Sequence, residues 1–239
     1  MGNVEAIGGK QARGQVSSSQ QMGGAQNPRG RADCPACEAP LNSFAAQVPD
    51  PALVATIDRL KAERDAVILA HYYVQPEVQA VADYVGDSFS LAKLAVEVPQ
   101  KTLVRAGVDF MGESAKLLNP DKTVLLPEPA ADCPMAHMVD KKTIDDARAR
   151  YGDDLAVVCY VNSTAEMKTW SDVCVTSSNA EKICRELPQN HLLFIPDVNL
   201  GRFIAKQVPE KHVILNNGFC PRHQRITPNE IIALEEEYP

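Results

Sequence analysis

The sequence repeats itself in outline: HYYVQPEVQAVADYVGDSFSLAK, residues 71–93, is followed 89 positions later by YVNSTAEMKTWSDVCVTSSNAEK, residues 160–182. When the first stretch is laid on the second, four polar residues coincide: Glu77 with Glu166, Asp83 with Asp172, Ser88 with Ser177 and Lys93 with Lys182. A fixed period with matched residues is typical of repeated supersecondary units. We therefore predict two structurally equivalent units in the chain.

Short apolar segments surround each copy. AVILA at residues 66–70 precedes the first copy, and LAVVC at residues 155–159 precedes the second. Further strand patterns lie at residues 102–106, 123–126, 192–195 and 212–215, and helical patterns at residues 76–85, 89–96, 112–118 and 199–207. Short buried strands that alternate with amphipathic helices are typical of parallel sheets covered by helices on both faces. We therefore predict an α/β fold of repeated three-layer α/β/α units with parallel sheets.

Each repeat ends at a cysteine in a proline-containing loop, Cys133 in the first and Cys220 in the second. These positions divide the chain into a first repeat at residues 51–139 and a second at residues 140–226. The last residues, 227–239, contain a Thr-Pro-Asn-Glu pattern that predicts a capped helix. We expect this helix to start a connection to a third repeat that lies outside the 239 residues.

The beginning of the chain has a different composition from the rest. Seven of the thirteen glycines fall in the first thirty positions. Such a segment buries too little apolar surface to offset the entropy lost on ordering, so we expect residues 1–45 to be a disordered arm. Its Cys34-Pro-Ala-Cys37 motif stands alone, and we interpret it as an exposed thiol pair.

Bulk composition excludes several classes of protein. The net charge of −7 argues against a dedicated nucleic-acid-binding protein, which would carry a basic face. No apolar run reaches the roughly 18 residues of a membrane span, and the polar start lacks the apolar core of a secretory signal. We expect a cytoplasmic protein, in which cysteines are reduced thiols or metal ligands.

Ligands of parallel α/β sheets bind at the loops that follow the carboxyl ends of the strands. His71 and Tyr73 follow the first strand of the first repeat, and Tyr160 and Asn162 follow its counterpart in the second. Because these positions are equivalent, we expect one site shared between the repeats.

Two serines and two histidines extend this candidate site. Ser88 and Ser177 lie at predicted helix N-termini, where a hydroxyl and free N–H groups form an anion cradle. His71 and His223 lie in the predicted ligand loops and suit proton transfer near neutral pH. For either histidine alone, a hydrogen-bonded structural role is the simpler interpretation.

The cysteines leave two readings open. Cys133 and Cys220 are either small buried residues or thiolates that converge on an iron–sulfur cluster or zinc. Two thiolates are too few for either metal site, so spacing alone does not decide between these readings. Cys159 and Cys184 fall in predicted elements and are interpreted as core, and Cys174 as structural.

Taken together, several segments resemble the quinolinate synthase family of iron–sulfur enzymes. They run from about residue 66 to the end of the chain in a specific order: ILAHYYVQPEVQAVADYVGDS, GVDFMGESAKLLNPDKTVLLPEPAADC, YVNSTAEMKTWSDVCVTSSNA, LFIPDVNLGR and NNGFCPRHQRIT. The resemblance implies three α/β domains related by pseudo-threefold symmetry, two of which lie in this chain. It also implies an active site between the domains and a [4Fe–4S] cluster to which each domain gives one cysteine.

The resemblance assigns roles to residues of this sequence. It implies Cys133 and Cys220 as two of the cluster ligands, with the third ligand absent from the chain. It implies catalytic and substrate-binding roles for seven further residues: His71, Tyr73, Tyr160 and His223 in catalysis, and His71, Ser88, Tyr160, Asn162 and Ser177 in substrate binding. The implied reaction condenses iminoaspartate with dihydroxyacetone phosphate to quinolinate, phosphate and water, with L-aspartate oxidase as the supplier of iminoaspartate.

The sequence also departs from the family pattern. The third domain, its cysteine, a His-Pro-Glu segment and a Gly-Ser-Thr loop are absent, and Gln224 replaces a commonly acidic residue. We therefore expect the 239-residue chain to be inactive alone. Two other readings are a non-enzymatic module that binds carboxylate or phosphate, and a fragment that docks a separate chain carrying the third domain.

Overall fold

A computed structural model describes residues 4–6 and 49–238. These residues form two compact units. The first unit holds residues 49–133 and 161–166, and the second holds residues 4–6, 134–160 and 167–238. Val4–Ala6 is strand β1.

The first unit is built on a four-stranded parallel sheet in the order β3-β2-β4-β5. Its elements are α1 (Pro51–Glu63), β2 (Ala66–His71), α2 (Pro76–Ala80), β3 (Tyr84–Gly86), α3 (Ser88–Glu97), β4 (Thr102–Ala106), α4 (Asp109–Leu118) and β5 (Thr123–Leu125). Leu69 of β2 and Leu103 of β4 are fully buried and pack with Leu91 and Ala95 of α3. The core therefore forms where α3 covers the two central strands.

The second unit contains a five-stranded parallel sheet in the order β1-β9-β8-β6-β7. Its elements are 3₁₀ turns at Pro134–His137 and Gly152–Asp154, α5 (Lys141–Tyr151), β6 (Leu155–Tyr160), α6 (Ala165–Thr169, which starts in the 161–166 segment), β7 (Val173–Val175), α7 (Ala180–Glu186), β8 (His191–Ile195), α8 (Val198–Gln207), β9 (His212–Leu215), α9 (Pro221–Gln224) and α10 (Pro228–Glu237). Alternate residues of β6 enter two different apolar clusters, with Ala156 and Val158 in one and Val157 and Cys159 in the other. Both faces of this sheet are therefore covered, as a three-layer α/β/α unit requires.

The strand registers confirm the repeat. Leu69 pairs with Tyr84 in the first sheet, and Val158 pairs with Val173 at the equivalent place in the second, 89 positions later. The same shift relates every strand pair of the four-stranded sheet to a pair in the second unit, including Ala66–Thr102 with Leu155–His191 and Thr102–Thr123 with His191–His212. The predicted parallel sheets and the predicted 89-residue period are both correct.

The matched aspartates have a structural role. The Asp83 carboxylate accepts the N–H of Ile68 at 2.8 Å, and the Asp83 N–H donates to the Ile68 carbonyl at 3.0 Å. Asp172 makes the same two bonds with Val157, at 2.7 and 3.0 Å. Each aspartate thus fixes the start of a short edge strand onto the long strand beside it.

A pair of glycines is matched in the same way. A Cβ atom on Gly112 of α4 would lie 2.9 Å from the Leu126 side chain, and one on Gly201 of α8 would lie 2.8 Å from Leu215. Contacts this short are not tolerated between carbon atoms, so each glycine lets its helix approach the last strand of its sheet.

The sequence prediction was wrong at β3 and β7, which each form one edge of their sheet. Residues 76–85 were expected to form one helix, but the structure ends α2 at Ala80 and forms β3, and it adds β7, which was not expected. Both strands have three residues, too few for a period of two to emerge, and an aspartate side chain fixes the start of each. The capping box that starts α10 was correct.

The N-terminal arm also differs at one place from the expectation. Val4–Ala6 pairs in parallel with Val213–Leu215 of β9, where a disordered segment was expected. The edge of an open sheet presents unpaired N–H and C=O groups, which a short extended segment can satisfy. The remaining residues of the arm, including Cys34 and Cys37, lie outside the described residues.

Candidate functional site

His71 is the last residue of β2 and is buried, with 5% of its surface exposed. Its Nδ1 accepts the N–H of Tyr73 at 3.3 Å, and the two rings lie 3.9 Å apart. Burial, together with the nearby Arg105 cation, lowers the pKa of His71 to about 4. The imidazole is therefore neutral at pH 7, and because Nδ1 accepts a bond, its proton lies on Nε2.

Tyr73 packs its ring against this imidazole, while about half of its surface stays exposed. The hydroxyl contacts the Met111 sulfur at 3.8 Å, and its partial removal from water raises the pKa of Tyr73 to about 12. Cys133 lies close enough to add to this rise through its charge. The structure therefore brings His71, Tyr73 and Cys133 together in the first unit, and Tyr73 is a neutral hydrogen-bond donor at pH 7.

Arg105 lies next to these groups and was missed in the sequence. It belongs to β4, has 1% of its surface exposed, and donates through Nη1 to the Leu69 carbonyl at 2.9 Å and through Nη2 to the Met111 sulfur at 3.4 Å. Burial lowers the pKa of Arg105 to about 10, so it is still charged at pH 7. No carboxylate of the described residues forms an ion pair with it. The sequence signal was an arginine inside a strand pattern, TLVRA at residues 102–106.

Ser88 is the first residue of α3, as predicted. However, the Asp87 carboxylate caps this helix and accepts the N–H groups of Phe89 at 2.8 Å and Ser90 at 3.0 Å. These bonds hold the pKa of Asp87 below its usual value. Because Asp87 already takes those N–H groups, an anion cradle at Ser88 would depend on the serine side chain instead.

The sequence analysis also did not identify two carboxyl groups at the loop that carries Cys133, those of Asp132 and Asp109. The Cys133 N–H donates to the Asp132 carboxylate at 2.7 Å, and the Asp109 N–H donates to the carbonyl of Ala131 at 2.9 Å. Burial and the neighbouring Asp132 raise the pKa of Asp109, so the pair retains a proton more readily than isolated carboxyls do. The loop that carries Cys133 is therefore fixed by polar contacts to the start of α4.

Asn162 lies in the 161–166 segment and is half-buried. The same segment is fixed by Glu113 of α4, whose carboxylate accepts the Ala165 N–H at 2.7 Å. This bond satisfies a donor at the start of α6, since the first N–H groups of a helix have no partner within it. Glu113 thus helps to position the loop that carries Asn162.

In the second unit, Tyr160 is the last residue of β6 and pairs in register with Val175 of β7. Ser177 is exposed in the turn that follows β7. Ser177 was expected at a helix N-terminus, but α7 starts only at Ala180, because the Asn179 side chain accepts the Thr176 N–H at 2.7 Å and closes a turn first. Tyr160 and Ser177 therefore lie at or just beyond the carboxyl ends of the adjacent strands β6 and β7.

Cys220 and His223 follow β9. Cys220 is half-buried and precedes α9, whose exposed third residue is His223. The loop before Cys220 is held by the Asn216 amide, which donates to the carbonyls of Met138 at 2.9 Å and Pro196 at 2.8 Å. A Cβ atom on Gly218 would lie 2.6 Å from the Pro196 carbonyl, so only glycine fits at that point of the loop.

No helix of the described residues has the length and apolar character that crossing a membrane requires.

The sequence was compared with known proteins. The family model for quinolinate synthetase A protein matches residues 55–239. A quinolinate synthase of Fusobacterium nucleatum is 54% identical over 183 residues, which cover 77% of this chain and 61% of the relative. Quinolinate synthases of Clostridium kluyveri and Aquifex aeolicus are 49% and 48% identical, over 78% and 77% of this chain and 61% and 56% of the relatives. The chain thus spans about 60% of the length of these relatives.

Proposed function

The chain belongs to the quinolinate synthase family, and on that premise we propose that it serves the ring-forming step of NAD biosynthesis. In this step iminoaspartate and dihydroxyacetone phosphate condense to quinolinate, phosphate and water. The observation that carries the proposal is the match over residues 55–239 at about half identity. It includes every residue that the sequence analysis assigned to the site.

The first unit supplies hydrogen-bond donors to a negatively charged substrate. His71 offers Nε2–H and Tyr73 offers its hydroxyl, and both stay protonated at these atoms at pH 7. The Arg105 cation is buried close enough for its charge to act on both, and within the described residues it donates to one carbonyl and one sulfur. Preorganised donors over a buried positive charge stabilise an oxyanion or carboxylate without reorganising. We assign His71 to this donor role rather than to proton transfer, because its pKa lies well below neutrality.

The roles of the remaining site residues are assigned from the chemistry of their side chains. The hydroxyls of Ser88 and Ser177 and the amide of Asn162 would hold the carboxylate and phosphate oxygens of the substrates. The Tyr160 hydroxyl would orient the substrate at the end of β6. His223 is exposed in α9 and is the histidine that we assign to moving a proton.

Two cysteines fit the thiolate ligands that an iron–sulfur cluster requires. Cys133 and Cys220 are not in disulfides and are half-buried, and each lies in the loop that follows the last strand of its repeat, β5 or β9. Cys159, Cys174 and Cys184 instead lie within strands or a helix. We propose Cys133 and Cys220 as two ligands of a [4Fe–4S] cluster. Such a cluster, with one iron not held by cysteine, supplies a Lewis acid for a carboxylate, nitrogen or hydroxyl.

The cluster proposal predicts the behaviour of the isolated polypeptide. A chain of these 239 residues should neither hold four irons nor form quinolinate, because two thiolates leave irons open to water and oxidant. Anaerobic reconstitution with iron and sulfide, followed by iron analysis and a quinolinate assay, tests this. Four irons per chain with turnover would overturn it and would require a further ligand.

A complementation experiment tests the proposed function itself. The part of the Fusobacterium nucleatum relative that lies beyond the matched region is added as a separate polypeptide during anaerobic reconstitution. Quinolinate formed only by the mixture supports the proposal, and it should disappear when Cys133→Ala replaces the wild-type chain but remain with Cys184→Ala. A mixture that holds a cluster and binds both substrates without turnover would indicate a non-enzymatic binding module.

A further inference from the structure

Two cysteines lie side by side in the second unit. Cys159 of β6 and Cys174 of β7 are register partners in a parallel strand pair, and neither is in a disulfide. Register partners project from the same face of a sheet, and adjacent strands lie about 4.8 Å apart. This separation falls within the range of roughly 4.4–6.8 Å between Cα atoms that disulfides span.

The two thiols differ in access. Cys174 belongs to the edge strand and is exposed, whereas Cys159 is fully buried. The Cys159 S–H is shared between the Tyr160 carbonyl, at 3.4 Å, and the Cys174 sulfur. The interaction with the Cys174 sulfur and the nearby Lys168 lower the pKa of Cys174 to about 7, so about half of it is thiolate at neutral pH. Only a thiolate reacts readily with peroxide.

We propose that Cys159 and Cys174 form a peroxide-sensitive thiol pair that closes reversibly into a disulfide. The Cys174 thiolate attacks one oxygen of hydrogen peroxide, forms an S–O bond as the O–O bond breaks, and yields a sulfenic acid and hydroxide. The Cys159 sulfur then attacks the Cys174 sulfur, and the hydroxyl leaves with the Cys159 proton as water. The peroxide is reduced by two electrons, and the two thiols lose two hydrogen atoms.

The position of the pair connects its redox state to the candidate site. Tyr160 directly follows Cys159, and Ser177 lies three residues beyond Cys174. A disulfide would remove the bond from the Cys159 thiol to the Tyr160 carbonyl and would tie together the strand ends that carry both residues. Because Cys174 is exposed, the bridge would be accessible to reductants. The chemistry of the pair itself does not depend on the proposed function.

Trypsin separates the two cysteines, which makes the bridge measurable. Cleavage after Lys168 places Cys159 in the peptide 151–168 and Cys174 in the peptide 169–182. The full chain is reduced without iron, treated with one equivalent of hydrogen peroxide, alkylated, digested and analysed by mass spectrometry. We expect these two peptides to be joined with the loss of two hydrogens, and a dithiol reductant should separate them.

Three cysteine variants test which thiol reacts first and which one closes the bridge. In Cys159→Ser, Cys174 should stop at a sulfenic acid that dimedone traps, and in Cys174→Ser, Cys159 should remain a thiol. Cys184→Ser is the matched control, because burial raises the pKa of Cys184 to about 11 and it should not affect the bridge. Wild-type protein in which Cys174 becomes a sulfinic acid while Cys159 stays a free thiol would overturn the proposal.

A kinetic measurement tests the thiolate separately from the bridge. Replacement of Cys159 by alanine removes the hydrogen bond to Cys174, and alkylation of Cys174 by iodoacetamide at pH 7 should slow about threefold. The fraction of Cys174 present as thiolate should fall by more than threefold. The loss in rate is smaller, because a thiolate with a higher pKa is more nucleophilic. An unchanged or faster rate in Cys159→Ala would show that Cys159 does not activate Cys174.

Discussion

The aspartate that fixes β7 to β6 offers a direct measure of how the repeat is held together. In Asp172→Ala, the N–H of Val157 loses its acceptor at 2.7 Å, and Val157 is fully buried. A buried donor left without a partner costs about 1–3 kcal/mol, and hydrogen bonds to charged groups lie at the upper end of their range. We therefore expect Asp172→Ala to lower the free energy of unfolding by about 2–3 kcal/mol.

Two variants separate the contributions at this aspartate. Asp172→Asn keeps a carbonyl oxygen for Val157 and should lose only about 1 kcal/mol. Asp172 also pairs with Arg148 at 3.0 Å, but both side chains are about 40% exposed. Exposed ion pairs contribute about 0–1 kcal/mol, so Arg148→Met should be close to neutral.

Urea unfolding of the second unit measures these differences. Trp170, the only tryptophan of the chain, lies in this unit and reports its unfolding through fluorescence. With a slope of about 1–3 kcal/mol per molar urea, a loss of 2–3 kcal/mol moves the midpoint by about 0.7–3 M. If Asp172→Ala and Asp172→Asn lost equal stability, or if Arg148→Met accounted for the whole loss, the buried N–H would not be the cause. Asp83→Ala, followed by circular dichroism, should show a comparable loss in the first unit.

Three further predictions concern charge and packing. Arg105→Met should raise the pKa of His71, measured by NMR titration, because the buried cation is removed; Arg105→Lys should keep the pKa low, and equal values in both variants would contradict this. The pKa of His71 is about 4 in the folded protein and about 6.5 in the unfolded chain, so the stabilisation from the neutral imidazole is complete above pH 6.5 and falls by up to about 3 kcal/mol towards pH 4. In His71→Gln the urea midpoint should therefore depend less on pH between about 4 and 6.5. The same pH dependence in wild type and variant would refute this. Gly201→Ala should cost about 1–3 kcal/mol, because its Cβ would lie 2.8 Å from Leu215, and Leu215→Val should restore part of the loss; a neutral Gly201→Ala would show that α8 can move away.

The central strands could be predicted from the sequence because burial decides them. The predicted bounds of β4 and β9 match the structure residue for residue, and β2, β6 and β8 are each longer by one residue. Strands β3 and β7 could not be predicted, because a hydrogen bond to an aspartate side chain marks where each of them begins, and a pattern of apolar residues does not reveal such a bond.

The sequence located candidate residues only where position along a strand defines them. His71 and Tyr160 were chosen because each follows the first predicted strand of its repeat, and the structure places both at the ends of those strands, while their roles stay predictions. Arg105 was missed because its role depends on residues of neighbouring elements that cover it. Cys159 and Cys174 were assigned separately to core and structure, since their pairing exists only once β7 is known.

The repeat conserves the scaffold of the two units while changing their charges. Arg105 pairs in register with Leu69, and the equivalent pair in the second unit is Phe194 with Val158. A buried guanidinium in the first unit therefore occupies the strand position of a fully buried phenyl ring in the second. The aspartates and glycines that fix the backbone are the same in both units, so the difference in chemistry is local to the side chains. A buried cation attracts negative charge most strongly where water is excluded, so our proposal assigns the anionic part of a substrate to the first unit.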